Sequence, residues 1–157
     1  MTDSAFSAGA ATPAPALPAN VAELAQRTPG VVSGARWFWW IAGLSLVNVA
    51  CDIAHADISF VMGLAFTQLA HAMFHANLGI AFVVDAFFIG SFYLLGRQAQ
   101  RGQMWAFLLG IVVYVCDALV YVKFESWMPV AFHALALFYI AKAVMNLQAA
   151  QKATGVR

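Results

Sequence analysis

Apolar residues run along this chain in stretches long enough to cross a bilayer, separated by short polar breaks. Four stretches, at positions 37 to 54, 77 to 96, 103 to 122 and 127 to 147, have the length and apolarity of spanning helices, which need about 20 mostly apolar residues. A fifth stretch, ISFVMGLAFTQLAHAMFHA at 58 to 76, runs into the span that follows it. Together they make an apolar run of 39 residues, too long for one crossing. The fifth stretch has its own pattern: Thr67, Gln68, His71 and His75 recur at helical spacing on one face, opposite Phe66, Leu69 and Met73. That amphipathic periodicity predicts a helix over 58 to 75 that lies at the interface or enters the membrane shallowly, without crossing it.

Charge decides how many crossings there are. With four spans and the N-terminus inside, Arg27, Arg36, Arg97, Arg101, Lys142, Lys152 and Arg157 are cytoplasmic and only Lys123 is outside, so seven of eight cations obey the positive-inside bias. A fifth span would reverse either Arg36 or the Arg97 to Arg101 loop. The predicted fold is therefore all-α: four transmembrane helices plus one outer-face interfacial or re-entrant helix, with both termini cytoplasmic.

Composition supports the membrane class. The chain is 63% hydrophobic and 10% charged, well beyond the apolar share of a soluble domain. A net charge of +1 offers no basic surface for nucleic acid, which is excluded as a partner. Residues 1 to 34 differ from the rest. Ala, Pro, Ser and Thr dominate, with Pro13, Pro15, Pro18 and Pro29 as breakers, and the expectation is a disordered cytoplasmic tail before a membrane domain over 35 to 148 and a short tail over 149 to 157. The tail lacks the basic start and apolar core of a signal peptide. Within it, Asn20 and Glu23 have capping-box spacing, which permits a short helix over 21 to 27 that is marginal without packing.

The polar residues inside the spans carry the candidate chemistry. Asp117 and His133 lie eight residues either side of Glu125, the tip of the last hairpin, and at about 1.5 Å per residue they are level. The same arithmetic about the Arg97 to Arg101 loop makes Asp85 level with Asp117. Ser45, Asn48, Asp52 and His55 form one polar face on the first span. All four histidines and five of the seven acids, Asp57 and Glu125 among them, thus fall in the outer half of the membrane or above it. Charges at that depth are costly unless paired or hydrated, so Asp52, Asp85, Asp117 and His133 are expected to form an inward-facing polar layer.

A layer of this kind has two chemical readings. His71 and His75, spaced i and i+4, could present two imidazoles to one ion with His133 or a carboxylate, which makes zinc or copper a candidate; a b-type haem held by His133 and His71 or His75 is a variant. Alternatively, Asp117 and His133 form a buried hydrogen-bonded pair that fixes the register of the last two helices. No cofactor is required by the sequence. Catalytic motifs such as CxxC, GxSxG and HExxH are absent, and Cys51 and Cys116 read as small buried hydrophobes. Trp37, Trp39, Trp40, Trp105 and Trp127 fall near predicted boundaries and read as interfacial anchors.

Three stretches, WFWWIAGLSLVN at 37 to 48, FVMGLAFTQLAHA at 60 to 72 and YVCDALVYVKFESWMPVAFHALALFYI at 114 to 140, resemble a family of small bacterial four-helix inner-membrane proteins. The resemblance implies the topology and a bacterial origin, and no activity. Similar chains carry Asp at the position of His71 and match Asp117 and His133, which weighs toward the latter pair as the shared element. The functional expectation is a non-enzymatic accessory or scaffold subunit, associating with other membrane subunits or with itself in the lipid bilayer. The competing expectation is a metal-, haem- or proton-handling protein built on the His/Asp cluster.

Overall fold

The computed structural model describes residues 16–54, 63–74 and 76–156, so the expectations for His55, Asp57, His75 and the first 15 residues lie outside the described part. Among the described residues all regular structure is helical: α1 (Val21–Arg27), α2 (Pro29–Ile53), α3 (Ala65–Met73), α4 (Leu78–Gln100), α5 (Met104–Lys123) and α6 (Trp127–Thr154). Of the four long helices, α2 packs on α4 and α6, and α5 packs on α6 and α4. Short turns make α4–α5 and α5–α6 antiparallel hairpins.

Three helices, Leu78–Gln100, Met104–Lys123 and Trp127–Thr154, are long and apolar enough to cross a membrane. The fourth expected span lies within α2, which is 25 residues long but more polar, diluted by Trp37, Trp39, Trp40, Ser45, Asn48 and Asp52. The distribution of those residues is inside-out. On α2, Ser45 and Asn48 are buried while Trp40, Leu46, Val47 and Ile53 are exposed. On α4 and α5, Asp85 and Asp117 are buried while Val83, Phe87, Val112 and Leu119 are exposed.

Part of the stretch expected as a tail forms helix among the described residues. Residues 21 to 27 and 29 to 34 are helical, joined at extended Thr28, and α2 begins at Pro29, in the first helical turn, where its missing N–H costs nothing. The Asn20 side chain accepts from the Glu23 N–H at 2.9 Å, and Glu23 reaches back to the Ala19 N–H at 2.7 Å. Packing supplies what capping alone lacks, because α1 lies against α2, α4 and α6 with Ala25 fully buried. At the other end, α6 continues to Thr154 and stops at Gly155, whose φ of 71° ends the helix in a left-handed cap.

The core is built on close helix approach. Phe38, fully buried, meets Phe92 and Phe107 with ring centroids 6.1 and 6.0 Å away, and lies so close to Gly110 that a Cβ there would overlap its ring. The two hairpin turns use opposite solutions to a left-handed backbone. Gly102 closes α4–α5 with φ 73°, and a Cβ there would come within 2.8 Å of the Val21 carbonyl. Glu125 closes α5–α6 with φ 55°, where a side chain is strained. Gly102→Ala is therefore expected to lower stability in a detergent melt by about 1 to 3 kcal/mol, and Glu125→Gly to raise it by about 0.5 to 1 kcal/mol.

The helix expected over 58 to 75 is seen as α3, with residues 58 to 62 and 75 outside the described part. Its polar face is divided, with Thr67 buried, His71 half-buried and Gln68 exposed. Thr67 is 1% exposed, and Leu64 and Ala65 at its start are buried. The Leu64 N–H donates to Ser45 Oγ, two turns inside the end of α2, so the chain has turned back among the long helices before α3 begins. α3 thus packs against α4, α5 and α2.

Candidate functional site

The start of α3 is the key to the site. A helix N-terminus leaves its first N–H groups without intrahelical partners, and apolar Leu64, at the N-cap position, makes no side-chain cap. Other helices supply the acceptors. Asp117, on α5, accepts from the Phe66 N–H at Oδ1 and the Ala65 N–H at Oδ2, both at 2.9 Å. Ser45, on α2, accepts from Leu64 at 2.9 Å while donating to the Ile41 carbonyl at 2.8 Å. Tyr121 Oη donates to the Gly63 carbonyl at 3.3 Å, and Thr67 Oγ1 to that of Leu64 at 2.7 Å. The carboxyl oxygens of Asp117 thus face the positive end of the α3 dipole.

His133, on α6, completes this cluster. Its Nε2 is 2.8 Å from Asp117 Oδ2, and both side chains are wholly buried. The Nδ1 atom lies 2.8 Å from the Pro129 carbonyl, which can only accept, so Nδ1 carries a proton. One further proton is shared between Nε2 and Oδ2. The imidazole stacks on Tyr114 with centroids 4.2 Å apart, and Tyr121 closes it from another side at 5.3 Å. Asp117 and His133 therefore bind α3, α5 and α6 together at one level, about 9 Å from the hairpin end of each long helix.

A second cluster sits at the far end of α3. His71 Nδ1 is 2.7 Å from Asp52 Oδ2 on α2, and His71 Nε2 is 2.7 Å from Asp85 Oδ2 on α4. Exposure falls along this line: the side chain of Asp52 is 61% exposed, that of His71 14% and that of Asp85 4%. The second oxygen of Asp85 is buried without a hydrogen-bond partner among the described residues.

The expected residues are thus divided between two clusters. Asp117 and His133 meet, and so do Asp52 and Asp85 through His71. His71 and His133, proposed to share a metal or a haem, do not come together: each uses both ring nitrogens on separate protein partners. Cys51 and Cys116 are free thiols, Cys51 half-buried and Cys116 exposed. Of the five tryptophans, Trp40, Trp105 and Trp127 are well exposed, whereas Trp37 stacks on Tyr139 at 5.2 Å and Trp39 on Tyr93 at 6.1 Å.

Sequence reasoning missed Tyr114, Tyr121 and Thr67 as parts of the site. A signal existed, since Tyr114 and Tyr121 stand three residues before and four after Asp117, on the same helical face. Comparison with family models, curated proteins and solved structures finds no match to this chain.

Proposed function

We propose that this chain is a non-enzymatic integral membrane protein of four spans, a bacterial inner-membrane accessory or scaffold subunit whose polar layer holds a re-entrant segment in place. The observation that carries this reading is the use made of Asp117. Both its oxygens are committed to the backbone of α3 and to His133, so the most buried acid of the layer serves to join three helices. A catalytic carboxylate would instead turn a lone pair toward a substrate cavity.

The four-span reading rests on α2. Over its middle, residues 38 to 51, Leu46 and Val47 are exposed while Ser45 and Asn48 are buried, and exposed Arg36 and Asp52 lie towards its two ends, which suits lipid on the outside and polar partners within. Arg97 and Arg101 close one end of the long helices and the His/Asp clusters lie toward the other, so the positive-inside bias makes the first end cytoplasmic. Reporter fusions check this: Gln98 is expected inside and Ser126 outside, and a Gln98 loop outside would reverse the assignment.

Association tests the subunit role. Tagged protein extracted from its own membranes in mild detergent is expected to migrate on a native gel in an assembly much larger than its 16.9 kDa chain, with other membrane subunits or copies of itself. A monomer at every detergent concentration would contradict it.

A further inference from the structure

The cluster that does not fix the start of α3 has a different design. An imidazole with a carboxylate oxygen 2.7 Å from each ring nitrogen cannot satisfy both contacts with one proton, because each contact needs a hydrogen between its two heavy atoms. Two protons must be shared among Asp52, His71 and Asp85. They have three arrangements of equal total charge: protonated Asp52 with Nε2–H on His71, imidazolium between two carboxylates, or Nδ1–H on His71 with protonated Asp85. Conversion from the first to the last moves one hydrogen from Asp52 to Nδ1 and one from Nε2 to Asp85 Oδ2. No other bond is made or broken, and the net charge stays at minus one.

We propose that Asp52, His71 and Asp85 form a proton relay that joins water at Asp52 to a buried proton-binding carboxylate, Asp85. Three observations carry it beyond a structural clamp. Exposure falls stepwise from one end of the line to the other, so protons can enter at only one of the two acids. The imidazole, alone among side chains, can accept on one nitrogen while donating from the other near neutral pH. The inner acid keeps one oxygen buried with no hydrogen-bond partner among the described residues, whereas both oxygens of Asp117 are used, so Asp85 is not held as a structural acceptor.

Among the described residues, little around the line competes for its contacts. Phe82 meets the His71 ring edge-on at 5.5 Å, α2 contributes Asp52, and α4 contributes Asp85. The charged group that α5 directs at α3, Asp117, is bonded at the other end of that helix, with His133 of α6 behind it.

The test is infrared spectroscopy of the full protein in lipid vesicles, following the carbonyl band of a protonated carboxylic acid through pH steps and deuterium exchange. A band lost in Asp85→Asn is expected to grow as pH falls, and its exchange is expected to slow by roughly 100-fold in both Asp52→Asn and His71→Gln. If His71→Gln does not fold, Asp52→Asn decides alone, since its exposed site leaves the packing intact. Unchanged exchange in Asp52→Asn would overturn the relay, as would the absence of any Asp85 band. A band that answers to sodium and not to pH would make Asp85 a cation ligand and overturn it equally.

Discussion

Replacing Asp117 with Ala is expected to be the most damaging single change in the polar layer, lowering stability in detergent by about 3 to 5 kcal/mol. The size follows from what one carboxylate does. Its removal strands the Ala65 and Phe66 N–H groups at the start of α3, and it leaves His133 buried without an acceptor for Nε2. Each buried group left unpaired costs about 1 to 3 kcal/mol. Asp117→Asn retains one carbonyl acceptor and loses the second oxygen facing the helix dipole, so it should fall roughly halfway. His133→Ala should cost less than Asp117→Ala, because it leaves the cap of α3 in place. The double variant should cost less than the sum of the singles, by about 1 to 3 kcal/mol. Chemical or thermal denaturation of the four proteins measures this; additive losses would mean that the two residues are not coupled.

Phe38→Ala is expected to rank second, at about 2 to 3 kcal/mol. In a soluble core a buried Phe→Ala change typically costs about 3 to 5 kcal/mol, part of it the transfer of an apolar side chain out of water. Lipid is as apolar as Phe, so that part is small here and the lost packing remains. The packing is substantial: Phe38 touches Phe92 and Phe107 and fills the space that Gly110 leaves open. Phe38→Leu combined with Gly110→Ala restores some of the filled volume and should recover stability relative to Phe38→Ala. A melt of Phe38→Ala indistinguishable from the unchanged protein would show that the helices gain nothing from this contact.

Different parts of this architecture were legible in the sequence to different degrees. The long helices follow from apolar run length alone, and the last hairpin from the polar break at Glu125, which made Asp117 and His133 level before any coordinates. The capping pair Asn20 and Glu23 marked α1, although its packing, and hence its persistence, could not be read from the pair. The burial of Thr67 on α3 was not legible in the sequence for a definite reason. A polar face made of Thr67 and His71 suits water as well as it suits a polar interior, and periodicity does not tell these apart. The partners that settle it are largely backbone groups, the N–H of Leu64, Ala65 and Phe66, which have no signature in residue type. Likewise, spacing placed Asp52 and Asp85 in one layer, but only the helix rotations brought His71 between them, away from His133.

The central claim is that α3 is held among the long helices by Asp117 and is not laid on the surface. Thiol labelling at position 67 tests it most directly, with Cys51 and Cys116 replaced by Ala so that one thiol reports. Thr67→Cys should stay unlabelled by a membrane-impermeant maleimide in the otherwise intact protein, since Thr67 is 1% exposed, and should become reactive when Asp117→Ala is added and α3 is released. Rapid labelling of Thr67→Cys with Asp117 intact would contradict the claim.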